Sequence, residues 1–174
     1  MKDSATGDEL RFSVEMWLDK EGIIELPAVW PDTPPLPLLV YQVTIVTSPK
    51  SGNDTDFNAY LNIYGETGDT GQRNLKNAVG TQKASVFKPG NIDTFEIEAV
   101  TVKEITHVKL SMGDYSDAVQ WSVDNVQVLD PESGKIYTFE YKDFINGPKD
   151  KGEKAEKNLL PTTVIHHTEQ ISEN

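Results

Sequence analysis

The sequence contains no cysteine, so disulfide bridges and thiolate chemistry are excluded and a reducing compartment is permitted. It also lacks any apolar run near the roughly 20 residues that a membrane-crossing helix needs. The opening MKDSATGDEL is polar, and the expectation is a chain with no signal peptide in a cytoplasmic setting. Basic residues are scarce. Against 28 Asp and Glu stand 16 Lys and Arg, a net charge of −12 with histidine neutral, so the surrounding field repels phosphate backbones and excludes nucleic acid as a partner. Helical periodicity is missing too: the best stretch, KDKGEKAEKNLL at 149–160, is charged all round.

What the sequence does contain is alternation with a period of two. Segments 40–47, 57–64, 83–87, 94–100, 107–112, 121–129 and 136–141 are short, rich in β-branched and aromatic residues, and separated by Gly, Pro, Asn or Asp. Seven or eight such strands predict an antiparallel sandwich. Its expected interior is Val43, Ile45, Leu61, Ile63, Phe95, Ile97, Val108, Leu110, Trp121, Val123 and Phe139. Residues 27–37 hold a proline-rich linker, since proline denies ladder donors and stiffens an extended chain. Residues 149–174 read as a polar, flexible tail, in which alternating charges argue against a polybasic lipid anchor.

The piece before the linker resembles the end of the domain after it. TGDELRFSVEMWL (6–18) aligns on SGKIYTFEYKDFI (133–145) without a gap, so that Gly7 meets Gly134, Phe12 meets Phe139 and Trp17 meets Phe144. A constant offset of about one domain length is the mark of a tandem array. Residues 1–26 are therefore expected to be the C-terminal strand remnant of a preceding repeat, and 38–148 one whole repeat.

The order GETGDTG, FKPGNIDTFEIEAV, ITHVKLSMGD and WSVDNVQVLDPESGKIYTFEY resembles the PLAT domain, also called lipoxygenase homology two, over residues 38–145. Shared features are the glycine-acid-glycine turn at 65–71, the Asp93-Thr94-Phe95 strand opening and Trp121-Ser122-Val123. The family's Trp-Leu-Asp occurs only in the N-terminal piece, at Trp17-Leu18-Asp19. The glycine pattern and the tandem copy are most similar to tandem-repeat members of inner-ear hair cells. The resemblance implies an all-β, eight-stranded antiparallel PLAT/C2-like β-sandwich. It implies no catalysis, and docking on protein partners or membrane lipid, with adjacent PLAT repeats in cis, at the plasma membrane or stereocilium. The competing reading is a regulatory, membrane-targeting domain of a larger lipoxygenase- or lipase-type enzyme. No nucleophile-base pair accompanies it: His107 opens an alternating strand, and His166 and His167 lie in the polar segment.

Some members of the family hold calcium with three loops, because this hard cation needs several carboxylate and carbonyl oxygens. Asp54, Thr55 and Asp56 match the first such loop, and Asp114 and Asp117 lie near the third. The second departs: Ser85-Val86-Phe87-Lys88 stands where calcium-binding members carry Asn-Asp-Phe-Glu, so two acids are lost and a cation is present. The expectation is weak or absent calcium binding and no required cofactor. Trp30, Tyr64 and Lys88 are the docking candidates. The glycine-spaced turns at 65–71 are read either as a binding loop or as simple turn chemistry.

Calorimetry tests the calcium expectation. The chain should take up little calcium, and Lys88→Glu combined with Val86→Asp should strengthen uptake by restoring carboxylates; tight binding by the unaltered chain would overturn it.

Overall fold

The computed structural model describes residues 4–7, 9, 11–12, 26–29, 33–52, 57–80, 86–113, 119–146 and 155–166. Ten strands occur among these residues: β1 (Leu38–Thr47), β2 (Asn58–Gly65), β3 (Gly68–Asp69), β4 (Arg73–Asn74), β5 (Ile92–Val100), β6 (Ile105–Gly113), β7 (Gln120–Asp130), β8 (Lys135–Asn146), β9 (Ala155–Leu159) and β10 (Thr163–His166). They form two five-stranded antiparallel sheets. One runs β10-β8-β7-β1-β5; the other runs β3-β2-β6-β9, with β4 also paired to β2. The antiparallel sandwich expected from alternation is present, with two short extra strands beside β2 accounting for part of the higher strand count.

Each sheet presents one apolar face to the other. All eleven residues expected inside are buried, joined by Tyr41, Ala59, Ala99, Met112, Val126, Val128, Tyr137 and Ile145. Strict alternation along 121–129 would bury Leu129. Instead the register of β7 against β8 shifts between Val123 and Asn125, which brings Val126 and Val128 inward and leaves Leu129 half-buried. One added residue exchanges the two faces of a strand.

Three expectations change. The strand expected at 83–87 is a turn where it is described: Val86 and Phe87 lie outside any strand, Phe87 has φ +60°, and 83–85 fall outside the described residues. The polar tail expected from residue 149 contains two strands. β9 pairs with β6 and buries only its ends, Ala155 and Leu159, while β10 pairs with β8. Both are sheet edges: β9 buries two of its five side chains and β10, Thr163–His166, none of its four, so neither carries an alternating apolar signal. The N-terminal strand expected at 10–18 falls mostly outside the described residues, but Arg11 is bridged to Val29, inside the segment read as linker.

Trp121 is the largest buried side chain and touches both connections and core strands. Trp121→Ala should cost about 3–5 kcal/mol, read as a fall in the midpoint of denaturant unfolding at unchanged slope; a neutral effect would remove it from the core.

Candidate functional site

Residues that leave the ladders at one end of the sandwich are held by an aromatic cluster. Thr47, Asn58, Ile92, Gly113 and Gln120 are the strand ends that meet there, as the pairings Val46 with Ile92, Thr47 with Val123 and Asn58 with Gly113 require. Phe57, in the β1–β2 connection, and Phe87, in the β4–β5 connection, pack on Trp121 with ring centroids 5.1 and 5.0 Å away. Phe87 also stacks on Phe57 at 5.5 Å and on Phe95 at 5.6 Å. The Trp121 indole donates to Thr47 Oγ1 at 3.3 Å. Ser48 and Gly52 donate their backbone N–H groups to carbonyls of Ser122 and Gln120. The start of the β1–β2 connection is thereby tied to β7.

Phe87 occupies the left-handed region, and its N–H donates to Asp93 Oδ2 at 2.7 Å. Asp93 is fully buried. Burial raises its pKa above the ordinary carboxylate value, opposed by hydrogen bonds from the Phe87 backbone and the Asn91 side chain. The family-like Asp93-Thr94-Phe95 opening is therefore a clamp on the turn before β5. Beside it lies a cleft of about 330 Å³ bounded by Phe57, Asn58, Asn74, Lys76 and Phe87.

Among the described residues, this end exposes lysines and aliphatic side chains. Lys50, Lys76 and Lys88 are exposed, and none has an ion-pair partner among the described residues. By contrast Lys103, Lys109, Lys135 and Lys142 sit within 2.6–3.2 Å of Glu132, Glu156, Glu104 and Glu140. Val79 and Ile92 are 52% and 69% exposed, large values for aliphatic side chains. In sequence, the connections 48–57, 75–91, 114–119 and 147–154 hold seven lysines against six acidic residues in a chain of net charge −12. The 75–91 connection alone has three lysines and no acid.

Of the expected site residues, Lys88 lies here, exposed beside the Phe87 turn. Asp54, Thr55, Asp56, Asp114, Asp117 and Trp30 fall outside the described residues. Among those described, no group of three or more acidic or histidine side chains could hold a metal ion. Tyr64 is elsewhere. It sits half-buried near the opposite end, its ring stacked on His107 with centroids 4.3 Å apart and planes 6° from parallel.

The glycine-spaced turns at 65–71 also belong to that opposite end. A Cβ at Gly65 would stand 2.8 Å from the Glu104 carbonyl oxygen and closer still to that of Val102. Asp69 Oδ1 accepts from Gly71 N–H and Asn62 Nδ2, both at 2.8 Å, and buried Thr70 accepts the Ile63 N–H. These residues are consumed in shaping the turn. Sequence reasoning missed the clamp at Asp93 and the exposed Lys76, Val79 and Ile92; counting charge by connection would have shown the lysines.

A PLAT/LH2 domain family model matches residues 41–158. The mouse and human lipoxygenase homology domain-containing protein 1 are each 31% identical over 164 residues, covering 89% of this chain and 8% of their own length. The chain thus spans less than a tenth of these curated relatives. Among solved structures, coral 8R-lipoxygenase, which is activated by calcium through a C2-like domain, superposes with a TM-score of 0.57 at 20% identity, over 71% of this chain and 17% of its own. A calcium-dependent 11R-lipoxygenase gives 0.52 at 20% identity, over 70% and 17%. At that identity the likeness shows the fold alone.

The clamp has a pH signature. A buried carboxyl whose folded pKa is raised binds its proton more tightly in the folded state, so its contribution to stability falls as pH rises from the ordinary carboxylate value through the raised one. Asp93→Asn keeps an acceptor for the Phe87 N–H and removes the charge. The variant should gain stability relative to the unaltered chain between acid and neutral pH, as measured by denaturant unfolding at each pH. A difference that does not change with pH would refute the assignment. Glu104 and Glu132, whose lysine partners lower their pKa values, slope oppositely in both chains and cancel in the difference.

Proposed function

The chain belongs to the PLAT/LH2 domain family, and from that membership we propose that it is a non-catalytic docking module of a tandem-repeat protein. It attaches protein partners or membrane lipid through the end of the sandwich that carries Lys50, Lys76, Lys88, Val79 and Ile92. The observation that carries the reading is the 31% identity to lipoxygenase homology domain-containing protein 1 over 89% of the chain, against 19–20% to the lipoxygenases. The geometry supports it in two ways. The docking end is built from connections anchored on a rigid aromatic cluster, which is how a sandwich presents a surface without disturbing its ladders. Among the described residues Lys50, Lys76 and Lys88 form no ion pair, which supports their charge being available to an anionic partner.

The proposed setting is cytoplasmic, at the plasma membrane or a stereocilium, with neighbouring repeats in cis and no required cofactor. Attachment works through local charge, since the net −12 opposes anionic surfaces at long range. Screening confines that opposition to about 8–10 Å at physiological salt, within which the nearest lysines decide.

Vesicle flotation tests the lipid arm. The chain should float with vesicles containing an anionic lipid and not with neutral ones. Lys76→Glu with Lys88→Glu should reduce bound protein about tenfold or more, on the basis of ~1 kcal/mol per lysine near such a surface. Equal flotation of the variant would discard the lysines as the docking device. No flotation of either would leave protein docking as the function.

A further inference from the structure

The edges of the sandwich are of unequal kind. β9 and β10 are five and four residues long, whereas β5, which closes the far side of the sheet β10-β8-β7-β1-β5, runs for nine residues, Ile92–Val100. Its pairing with β1 is continuous from Ile92 to Val100 without a shift of register, and it contains no proline and no lysine. Short length, proline, lysine and bulges, which commonly blunt an edge, are all missing.

The bonds at the two ends of β5 show which backbone groups face outward. Thr47 N–H donates to the Asn91 carbonyl at 2.9 Å and Thr101 N–H donates to the Pro37 carbonyl at 2.9 Å, so the odd-numbered residues turn toward β1. Thr94 turns the other way. Its carbonyl accepts the Val79 N–H at 2.7 Å, a single rung that the chain itself lays on the outer side of β5. The N–H and C=O of one strand residue point to the same side, and the side alternates along the strand, so Glu96 and Glu98 also aim theirs outward. Among the described residues those groups meet no partner.

The open stretch is bounded. Val79 occupies it at Thr94, and at the far end Pro34 and Leu36, before β1, line a groove together with Val100. Between these limits Glu96 and Glu98 are exposed, on the face opposite buried Phe95, Ile97 and Ala99, and form no ion pair among the described residues. The two carboxylates decide what fits. A second copy pairing antiparallel about Ile97 would set Glu96 against Glu98 twice, and like charges directly opposite are unfavourable. An extended segment with a basic side chain at each of those positions meets opposite charge instead, and exchanges two main-chain hydrogen bonds with each glutamate.

We propose that the outer edge of β5 at 95–99 is a strand-addition site for an extended protein segment that carries two lysines or arginines separated by one residue and lies antiparallel against Glu96 and Glu98. Main-chain bonds supply the attachment, and the two carboxylates select the partner. The site goes beyond the docking proposed for the lysine-bearing end and uses none of its residues.

Amide exchange followed by NMR on the full chain tests it, with a capped Thr-Val-Lys-Val-Lys-Val-Thr peptide as the probe. At saturating peptide the Glu96 and Glu98 amides should exchange about tenfold or more slowly, because each becomes a ladder donor. The same peptide methylated on its two lysine backbone nitrogens keeps its charge, loses its donors, and should give no protection. Equal protection by both forms would reduce the contact to charge alone and overturn the proposal, as would protection by neither. Glu96→Lys with Glu98→Lys changes exposed positions only; it should keep the melting temperature, lose the lysine peptide and gain protection at 96 and 98 from a Thr-Val-Glu-Val-Glu-Val-Thr peptide. A folded variant that still binds the lysine peptide would place the peptide elsewhere and overturn the proposal. Protection in the unaltered chain alone, rising with its concentration, would make a second copy the occupant and overturn it equally. None of these readouts involves Lys76 or Lys88, so failure here is distinguishable from failure of docking at the lysine end.

Discussion

The contact of Trp121 with Phe57 and Phe87 is the one on which the rest of the molecule turns. Ladder hydrogen bonds hold strands within a sheet but do nothing to fix the connections beyond the strand ends. Here two of those connections each contribute an aromatic ring to a single indole, with Phe95 completing the stack. Aromatic pairs at these separations are worth about 0.5–1.5 kcal/mol beyond the area they bury, so the cluster adds to the backbone bonds that tie the two connections to the strands. It also explains the left-handed φ of Phe87. Turning the ring inward places the backbone in a costly region, and the buried Asp93 compensates by accepting the N–H that this geometry exposes.

The opposite end is assembled from polar contacts. Tyr41 is buried at the foot of β1 and accepts the Val102 N–H at 3.0 Å. Thr101 and Lys103 both reach Glu132, at 2.7 and 2.6 Å, and Lys135 reaches Glu104. The exposed ion pairs add little stability each. Their effect is positional, because with the Gly65 close approach they leave the 65–71 and 101–104 turns little freedom.

The interior was legible in the sequence because the period of two survives wherever one face of a strand is covered. The period breaks between Val123 and Asn125, where a bulge is one residue of main chain with no reliable side-chain signature, and buried Val126 and Val128 beyond it were not among the residues expected inside. It failed at 155–166 for a different reason: edge strands that bury two side chains out of five, as β9 does, or none out of four, as β10 does, carry too little alternating signal to stand out from a charged tail. In the candidate site, Lys88 was legible as a departure from the family pattern. Asp93 was legible as part of the family-like strand opening but its role was not, since only its burial and its bond from the Phe87 N–H show that it holds the turn before β5. The glycines at 65–71 drew attention as a motif, yet their cause is steric and local.

Charge distribution gives the two ends their roles. In sequence, the connections 48–57, 75–91, 114–119 and 147–154 hold nearly balanced charge, so the remainder of the chain carries the whole of the negative excess. On the docking reading proposed above, an anionic surface opposes the acidic faces of such a molecule more than the end that carries Lys50, Lys76 and Lys88, so the unfavourable net charge would orient the approach.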